Sequence, residues 1–537
     1  LNNHLQDRPN ILWISLEDTS PRFGCYGDRL ARTPNIDRLA GEGMRFSSAF
    51  ATAGVCAPSR SAIITGMYQT SIGTHHMRTT HTETCAPELP TPYHAVVPHY
   101  VKTFTEYLRA AGYYCTNNKK TDYQFETPLT AWDELGDDAH WRNRDEGQPF
   151  FSVFNPILTH ESGMWPDKER HALETDPDEV TLPPYLPDTR KSREALARHY
   201  DNIADSDQIV GRLLRQLEED GLADNTIVFL WSDHGEGLPR AKRWPYDAGI
   251  RIPLLVRWPG RIQPRTVSDR LVSLIDLGPT VLSLAGLAVP CHMHGQPFLG
   301  EQARQRDYIF ATRDRYDQAY DMVRAVRNTR YKYIRNYDPN MPYLLWISYN
   351  NRHPIQQEMW RLHLEGKLEG VQNVMFGKRP VEELYDTVSD PHELNNLATG
   401  PGHRDALLEL RYALDEWRKQ YGDLGDLSEE QMVERFWPRG IQPHTSAPVF
   451  VPITAESPGI EATTEGGSFQ GPLLVQLYCS TQGASITYTT ESGENARWKL
   501  YTGPIRCCAG TTTVRVKASR IGYKNSEERW AAFTVTE

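Results

Sequence analysis

The sequence has no C-x-x-C pair among its eight cysteines at 25, 56, 85, 115, 291, 479, 507 and 508. That argues against a zinc ribbon or a thioredoxin-type redox site. It has no basic surplus: 58 Lys and Arg against 69 Asp and Glu leave a net charge of −11. A general nucleic-acid or polybasic membrane binder needs the opposite balance to neutralise phosphates. It has no clean membrane-length apolar run. The most apolar stretch, 271–289, contains Asp276 and Pro279 and reads as a buried helix. Gly and Pro, 38 and 37 residues, supply loops without any repeat period.

What is present describes a globular chain. At roughly 100–200 residues per domain, 537 residues predict two to four domains. The 13 Trp and 26 Tyr suit sugar stacking as well as cores, with the core as the default reading. The chain begins at Leu1, which is read as a mature form from the periplasm or the secreted fraction. Cys479 and the adjacent Cys507 and Cys508 are candidates for a bridge in such a compartment.

Through the first two-thirds, strand-like and helix-like segments alternate. Residues 11–16 (ILWISL), 113–116, 150–154, 227–231 and 253–256 read as buried strands. Thr33-Pro34 opens a helix, and 101–110 and 192–220 carry helical spacing. This alternation predicts an α/β layered domain, 1–304, with a large, mixed, mostly parallel sheet flanked by helices. From 305 to 440 the pattern predicts a smaller antiparallel α+β subdomain, with strands in 322–333 and 383–385 and a helix over 402–421. Residues 441–454 are a Pro-rich linker. Period-two segments at 474–478, 486–490, 513–518 and 532–535 then predict a β-sandwich over 455–537. With 8 basic and 8 acidic residues the sandwich is neutral, so the −11 belongs to the part before it.

The sharpest local signal is Cys56-Ala57-Pro58-Ser59-Arg60. Bare, it is a cysteine at a helix N-terminus, where free backbone N–H groups and Arg60 favour an anion. A cysteine alone at such a place is ordinarily just buried. Two acidic segments close predicted strands: Glu17-Asp18 after the first, and Asp233-His234-Gly235-Glu236 after 227–231. Carboxylates at the carboxyl ends of parallel strands converge on one sheet edge.

Taken together, C-x-P-S-R with a following apolar helix and Thr65-Gly66, the Glu17-Asp18 pair and the D-H-G-E segment resemble the type I sulfatases of the alkaline phosphatase superfamily. The resemblance spans roughly residues 8–440 and rests on the order of the segments. It implies that Cys56 is oxidised to formylglycine by a maturation enzyme that reads this motif. It also implies that Glu17, Asp18, residue 56, Asp233 and His234 hold one calcium ion. Oxygen-rich ligands suit such a hard cation. Lys120 matches the lysine of the family's G-K-x-H segment, Lys242 the lysine ahead of its Y-E-x-G-x-R, and His160 a histidine near the scissile oxygen. Three positions depart from the family pattern: Glu17 replaces the usual Asp, Asn118 the Gly and Asp122 the His, and Lys119 rivals Lys120. The implied chemistry is attack of a hydrated aldehyde on sulfur, with Arg60, Lys120 and Lys242 as preorganised cations and His160 as general acid.

For substrate contact, His75, His76 and Arg78 follow the Cys56 helix, and Arg313 and Arg315 come from the subdomain expected to face the pocket. Solvated charge is the competing reading for the arginines. The terminal sandwich resembles the small β-domain of chitobiase-like glycosidases, through Gly466-Gly467-Ser468-Phe469, 486–489 and 501–505. The function implied is hydrolysis of sulfate esters on a sulfated polysaccharide or oligosaccharide, with no nucleic-acid partner and no membrane span. The alternatives are a phosphonate or phosphodiester hydrolase with the same nucleophile, and a non-catalytic carbohydrate-binding protein.

Overall fold

The computed structural model describes residues 8–536. Its largest sheet contains β1 (Asn10–Leu16), β2 (Met44–Phe50), β3 (Tyr114–Asn118), β4 (Glu134–Leu135), β5 (Phe150–Phe154), β6 (Thr226–Ser232), β7 (Arg251–Arg257), β8 (Thr266–Ser268) and β9 (Val272–Ser273). The strand order is β4-β3-β5-β1-β6-β7-β2-β8, with β9 also on β2. From β4 to β6 every pairing is parallel, while β7 runs antiparallel to both β6 and β2. Strands β1, β5 and β6 are buried along their whole length. This is why they read as unbroken apolar runs without alternation. Helices cover both faces, chief among them Arg190–Glu219, whose Val210, Leu213, Leu214 and Leu217 pack with β1 and β6 residues.

A second sheet of β10 (Ile309–Arg313), β11 (Val323–Arg327), β12 (Tyr331–Asn336) and β13 (Glu382–Asp386) is fully antiparallel. The expected single segment over 322–333 is thus a hairpin of two strands. Helix Arg404–Tyr421 packs Leu407, Leu410, Leu414 and Trp417 onto this sheet. The helical spacing read over 101–110 begins as a helix only at Phe104, where Thr103 and Glu106 form a capping box.

The C-terminal unit has a three-stranded and a five-stranded sheet around Phe450, Val475, Val514, Val516 and Phe533. The second half of the expected linker, Val449–Ile453, is itself a strand and pairs with Leu473–Tyr478. Its apolar Val and Phe side chains offset the turn signal of the prolines. The expected bridge is corrected: Cys479, Cys507 and Cys508 are all free. Cys507 is buried in the core at the end of its strand, and Cys508, just beyond it, is exposed. Among the described residues no helix is long and apolar enough to cross a membrane.

Candidate active site

Because β1, β3, β5 and β6 are parallel, their carboxyl ends share one edge, and the segments leaving them meet there. Strand β1 delivers Glu17 and Asp18, β3 Lys120, β5 Asn155 and His160, and β6 Asp233 and His234. Strand β2, parallel to β6 across β7, leads to the helix Cys56–Thr65 at the same edge. Strand β7 is reversed, so the residues before it, including Lys242, also arrive there. Pro58 lies in the first turn of the Cys56 helix, where its missing N–H costs no helical hydrogen bond.

The backbone at the centre is tightly shaped. Asp18 takes a left-handed conformation with φ +48°, unusual outside glycine. Its N–H donates to Asp233 Oδ1 at 3.3 Å, and its Oδ2 accepts from Glu161 N–H at 2.7 Å and Lys242 Nζ at 2.6 Å. Gly235 passes so close to Ala248 that a Cβ would sit 2.1 Å from its carbonyl oxygen. The His234-Gly235 turn is therefore pressed against the segment that carries Lys242.

Cys56 Sγ lies 3.4 Å from His234 Nε2 and 4.0 Å from Asp18 Oδ1. Arg60 donates from Nε to Asp233 Oδ2 at 3.0 Å, from Nη1 to Asn155 Oδ1 at 3.1 Å and from Nη2 to Glu17 Oε1 at 3.3 Å. Lys120 is ion-paired with Glu17. Its rival Lys119 is exposed and pairs with Asp137 at 3.1 Å.

Charge dominates the local chemistry. Burial raises the cost of ionising Asp18, yet Lys242, His160 and His234 hold its carboxyl well below the usual range. Burial likewise opposes the charge on Asp233, and His234 and Arg60 bring it down to about 2. Burial pushes the Cys56 thiol up, but Lys120 and Lys242 pull it below its ordinary value. His234 is lifted to about 10, against its burial, by Asp233 and Asp18.

Those numbers describe a site that draws positive charge to one spot. His234 Nδ1 donates to Gly235 O at 3.1 Å, which leaves Nε2 facing Asp18 Oδ1 at 3.0 Å. A second-ring-nitrogen bond to a backbone carbonyl is the usual way to orient a metal-ligating imidazole. Ligand atoms of Cys56, Asp233 and His234 lie within 4.8 Å of one another, as do those of Asp18, Cys56 and His160. Within these sets the Asp18 and Asp233 carboxylates suit a hard divalent cation, and position 56 joins them only when its soft thiol sulfur is replaced by oxygen. Glu17 belongs to neither group; its carboxylate turns to Lys120 and Arg60.

His160 sits at the rim. Its Nδ1 meets Ser162 Oγ at 2.8 Å and the Ser162 N–H at 3.3 Å, and its Nε2 lies 3.4 Å from Lys242 Nζ. Burial and Lys242 disfavour protonation of this ring, but Asp18 and the Cys56 thiol raise its affinity for a proton overall.

The sulfatase family model matches residues 9–139 and 115–287, over half the chain. The chain belongs to the sulfatase family. It is accordingly a sulfuric ester hydrolase. A model described as N-sulphoglucosamine sulphohydrolase, C-terminal, matches residues 235–374 of this sulfatase. An ulvan-active sulfatase of Formosa agariphila is 40% identical over 563 residues, covering 97% of this chain and 91% of the relative. The human N-sulphoglucosamine sulphohydrolase is 26% identical over 464 residues, covering 77% and 90%. A solved 2-O GAG sulfatase superposes with TM-score 0.57 at 22% identity, over 78% of this chain and 94% of that one, and shares the fold.

Not every residue expected at the sulfatase site reaches it. Arg313 and Arg315 are corrected: they are 2% and 0% exposed. Arg313 Nε pairs with Asp321 at 2.7 Å, and Arg315 grips Glu429 through Nε at 2.6 Å and Nη2 at 2.7 Å. Their forks are taken up by Asp321 and Glu429 rather than by the carboxylates that ring Cys56. His75 and His76 are sealed as well, with His76 Nδ1 accepting from Arg315 N–H at 3.2 Å. Arg78 does lie at the mouth, 3.1 Å from Asp317 and over the Tyr349 ring at 5.3 Å, and Cys56 contributes to its electrostatic environment.

Residues absent from the sequence reading also shape the site. Glu161 is buried, 3.1 Å from Lys242 and 2.8 Å from Arg243. Tyr349 stands between His160 and Trp165, with ring separations of 6.3 and 4.8 Å. Glu161 adjoins His160 and was open to inspection; Tyr349, 189 positions after His160 (349 − 160), left no local signal.

Proposed function

We propose that this sulfatase hydrolyses sulfate esters of a sulfated polysaccharide or its oligosaccharides, with residue 56 as the nucleophile. The observation that carries the reading is the placement of Cys56 against His234, Asp18, Lys120 and Lys242 at one sheet edge. The polysaccharide class rests on the 40% identical ulvan-active relative, which covers nearly the whole chain. A polymer of this class is met outside the cytoplasm, so the reading carries an exported location with it.

Residue 56 acts after conversion to formylglycine by a maturation enzyme. A calcium ion would be held by Asp18, Asp233 and His234 together with residue 56, while Glu17 holds Lys120 and Arg60 in place. Together these groups would supply a hydrated aldehyde hydroxyl of lowered pKa and a fixed positive charge for a sulfate oxygen. The chain's own residues do the rest. Arg60, Lys120 and Lys242 are held in place by buried carboxylates, so they need no reorganisation when sulfate charge redistributes. His160 would protonate the leaving oxygen, its ring held between Ser162 and Lys242. Arg78 and Tyr349 form the wall that the sugar would meet.

The test is turnover of matured enzyme on a panel of sulfated saccharides beginning with ulvan oligosaccharides. Conversion of Cys56 appears in the mass spectrum of its peptide as a loss of about 18 Da. Cys56→Ser should fold and bind substrate while losing ~10⁴-fold or more in kcat. Near-native turnover in that variant would remove residue 56 from the mechanism.

A further inference from the structure

We propose that the seam between the catalytic sheet and the C-terminal sandwich is a second saccharide site, which holds an anionic sugar of the polymer outside the catalytic pocket. This deepens the carbohydrate reading and rests on it. A cleft of about 350 Å³ opens there, a volume at the lower end of ordinary ligand sites. The sandwich side contributes Arg497, Trp498 and Lys517, and the catalytic side Trp132, Asp133 and Glu134.

The chemistry favours a sugar bearing negative charge. Trp498 is half-buried, with Lys517 Nζ 4.4 Å from its ring centre and the Arg515 guanidinium at 5.3 Å. An indole beside two cations offers a stacking surface for a sugar face and charge for a sulfate or carboxylate on it. Arg515 and Lys517 share one carboxylate, Glu528, at 2.6 and 3.0 Å, so positive charge gathers on the sandwich wall, opposite Asp133 and Glu134 on the catalytic wall. Across the cleft, Glu134 offers a carboxylate that can accept from sugar hydroxyls, while Asp133 is engaged by Arg109 and by the Cys115 N–H.

The site is also built to stay in shape. Arg109 donates to Asp133 through Nε and Nη2 at 3.0 and 2.7 Å, and Nη2 reaches the Trp498 carbonyl at 2.9 Å. Arg497 pairs with Asp145 at 3.0 Å, and Lys102 Nζ donates to Ser485 Oγ at 2.7 Å. These bonds tie the two units together beside the cleft, which reduces the ordering that binding would require. Trp132 lines this cleft and also the small chamber that contains Arg60 and Lys120. One side chain therefore separates the seam from the catalytic cations.

The experiment uses the full chain. Matured wild type, Trp498→Ala and Lys517→Gln are compared on a sulfated ulvan oligosaccharide and on p-nitrophenyl sulfate. The expected result is about a tenfold rise in KM for the oligosaccharide in each variant. Its kcat, and both constants for the aryl sulfate, should stay unchanged. Equal KM values in all three proteins, or parallel losses on both substrates, would overturn the proposal. Binding of the same oligosaccharide to Cys56→Ser, with and without Trp498→Ala, reads the seam without turnover. If aryl sulfate is cleaved but no sulfated saccharide is either cleaved or bound, the carbohydrate reading itself fails. If saccharides are cleaved and Trp498→Ala binds them as tightly as its parent, only the seam fails.

Discussion

Two buried clusters of charge lie in this protein, and they do opposite things. At the edge of the large sheet, Asp18, Asp233, His234, Lys242, Lys120 and Arg60 surround Cys56. Between the smaller sheet and the segments around Asp423 and Glu429, Arg313, Arg315 and Arg324 pair with Asp321, Glu429, Asp314 and Asp423. Composition does not distinguish them. In both clusters the cations end on carboxylates; the difference is that those of the first ring a reactive side chain, Cys56. Burial of both makes removal of a partner expensive, but the first opens toward solvent at the half-buried Lys120 and His160, where its field can act on a bound molecule.

Three perturbations sharpen that contrast, in descending order of effect. His160→Ala should lower kcat by ~10²–10⁴-fold, most on sugar sulfates with poor leaving groups and least on an activated aryl sulfate. Steady-state kinetics on both substrates check this, and equal losses would deny His160 a role as acid. Arg315→Met should leave kcat of the folded enzyme within a few-fold while costing ~3–5 kcal/mol of stability, because Glu429 is left charged and buried. Urea denaturation measures it, and adding Glu429→Leu should recover much of the loss.

The smallest effect concerns pH. His199 and His353 are fully buried beside the catalytic cluster, near Glu236 and Arg22 and near Glu161 and Arg243 respectively. Desolvation lowers both from 6.5 to about 4. Between those values the unfolded chain binds more protons than the folded one. Their contribution is therefore complete above pH 6.5 and is lost as pH falls toward 4. Between pH 7 and pH 5 each should cost about 2 kcal/mol. The urea midpoint at the two pH values reads this, and His353→Gln should flatten the difference.

Much of the fold was legible because the parallel strands are buried on both faces and write themselves as apolar runs. The reversal of β7 was not legible: 253–256 looks like any other buried strand, and direction depends on how the chain re-enters the sheet. The strand within the expected linker was hidden by Pro448 and Pro452, which an edge strand tolerates. At the site, Cys56, Asp18, Asp233 and His234 were legible through a local motif and two strand-end pairs. Arg313 and Arg315 misled for the corresponding reason. Sequence records that a residue is charged and near a site-forming element, but not whether Asp321 or Glu429 has already claimed it.

By itself, then, the sequence determined the layered α/β body, the alternating sandwich and the candidate nucleophile, because periodicity and short motifs are local properties of the chain. Tertiary structure alone decided which lysine faces Cys56, which arginines are closed off and where the sandwich meets the catalytic body. Those outcomes depend on contacts between residues tens to hundreds of positions apart. Arg109 holding the Trp498 carbonyl, across 389 positions, is the plainest case.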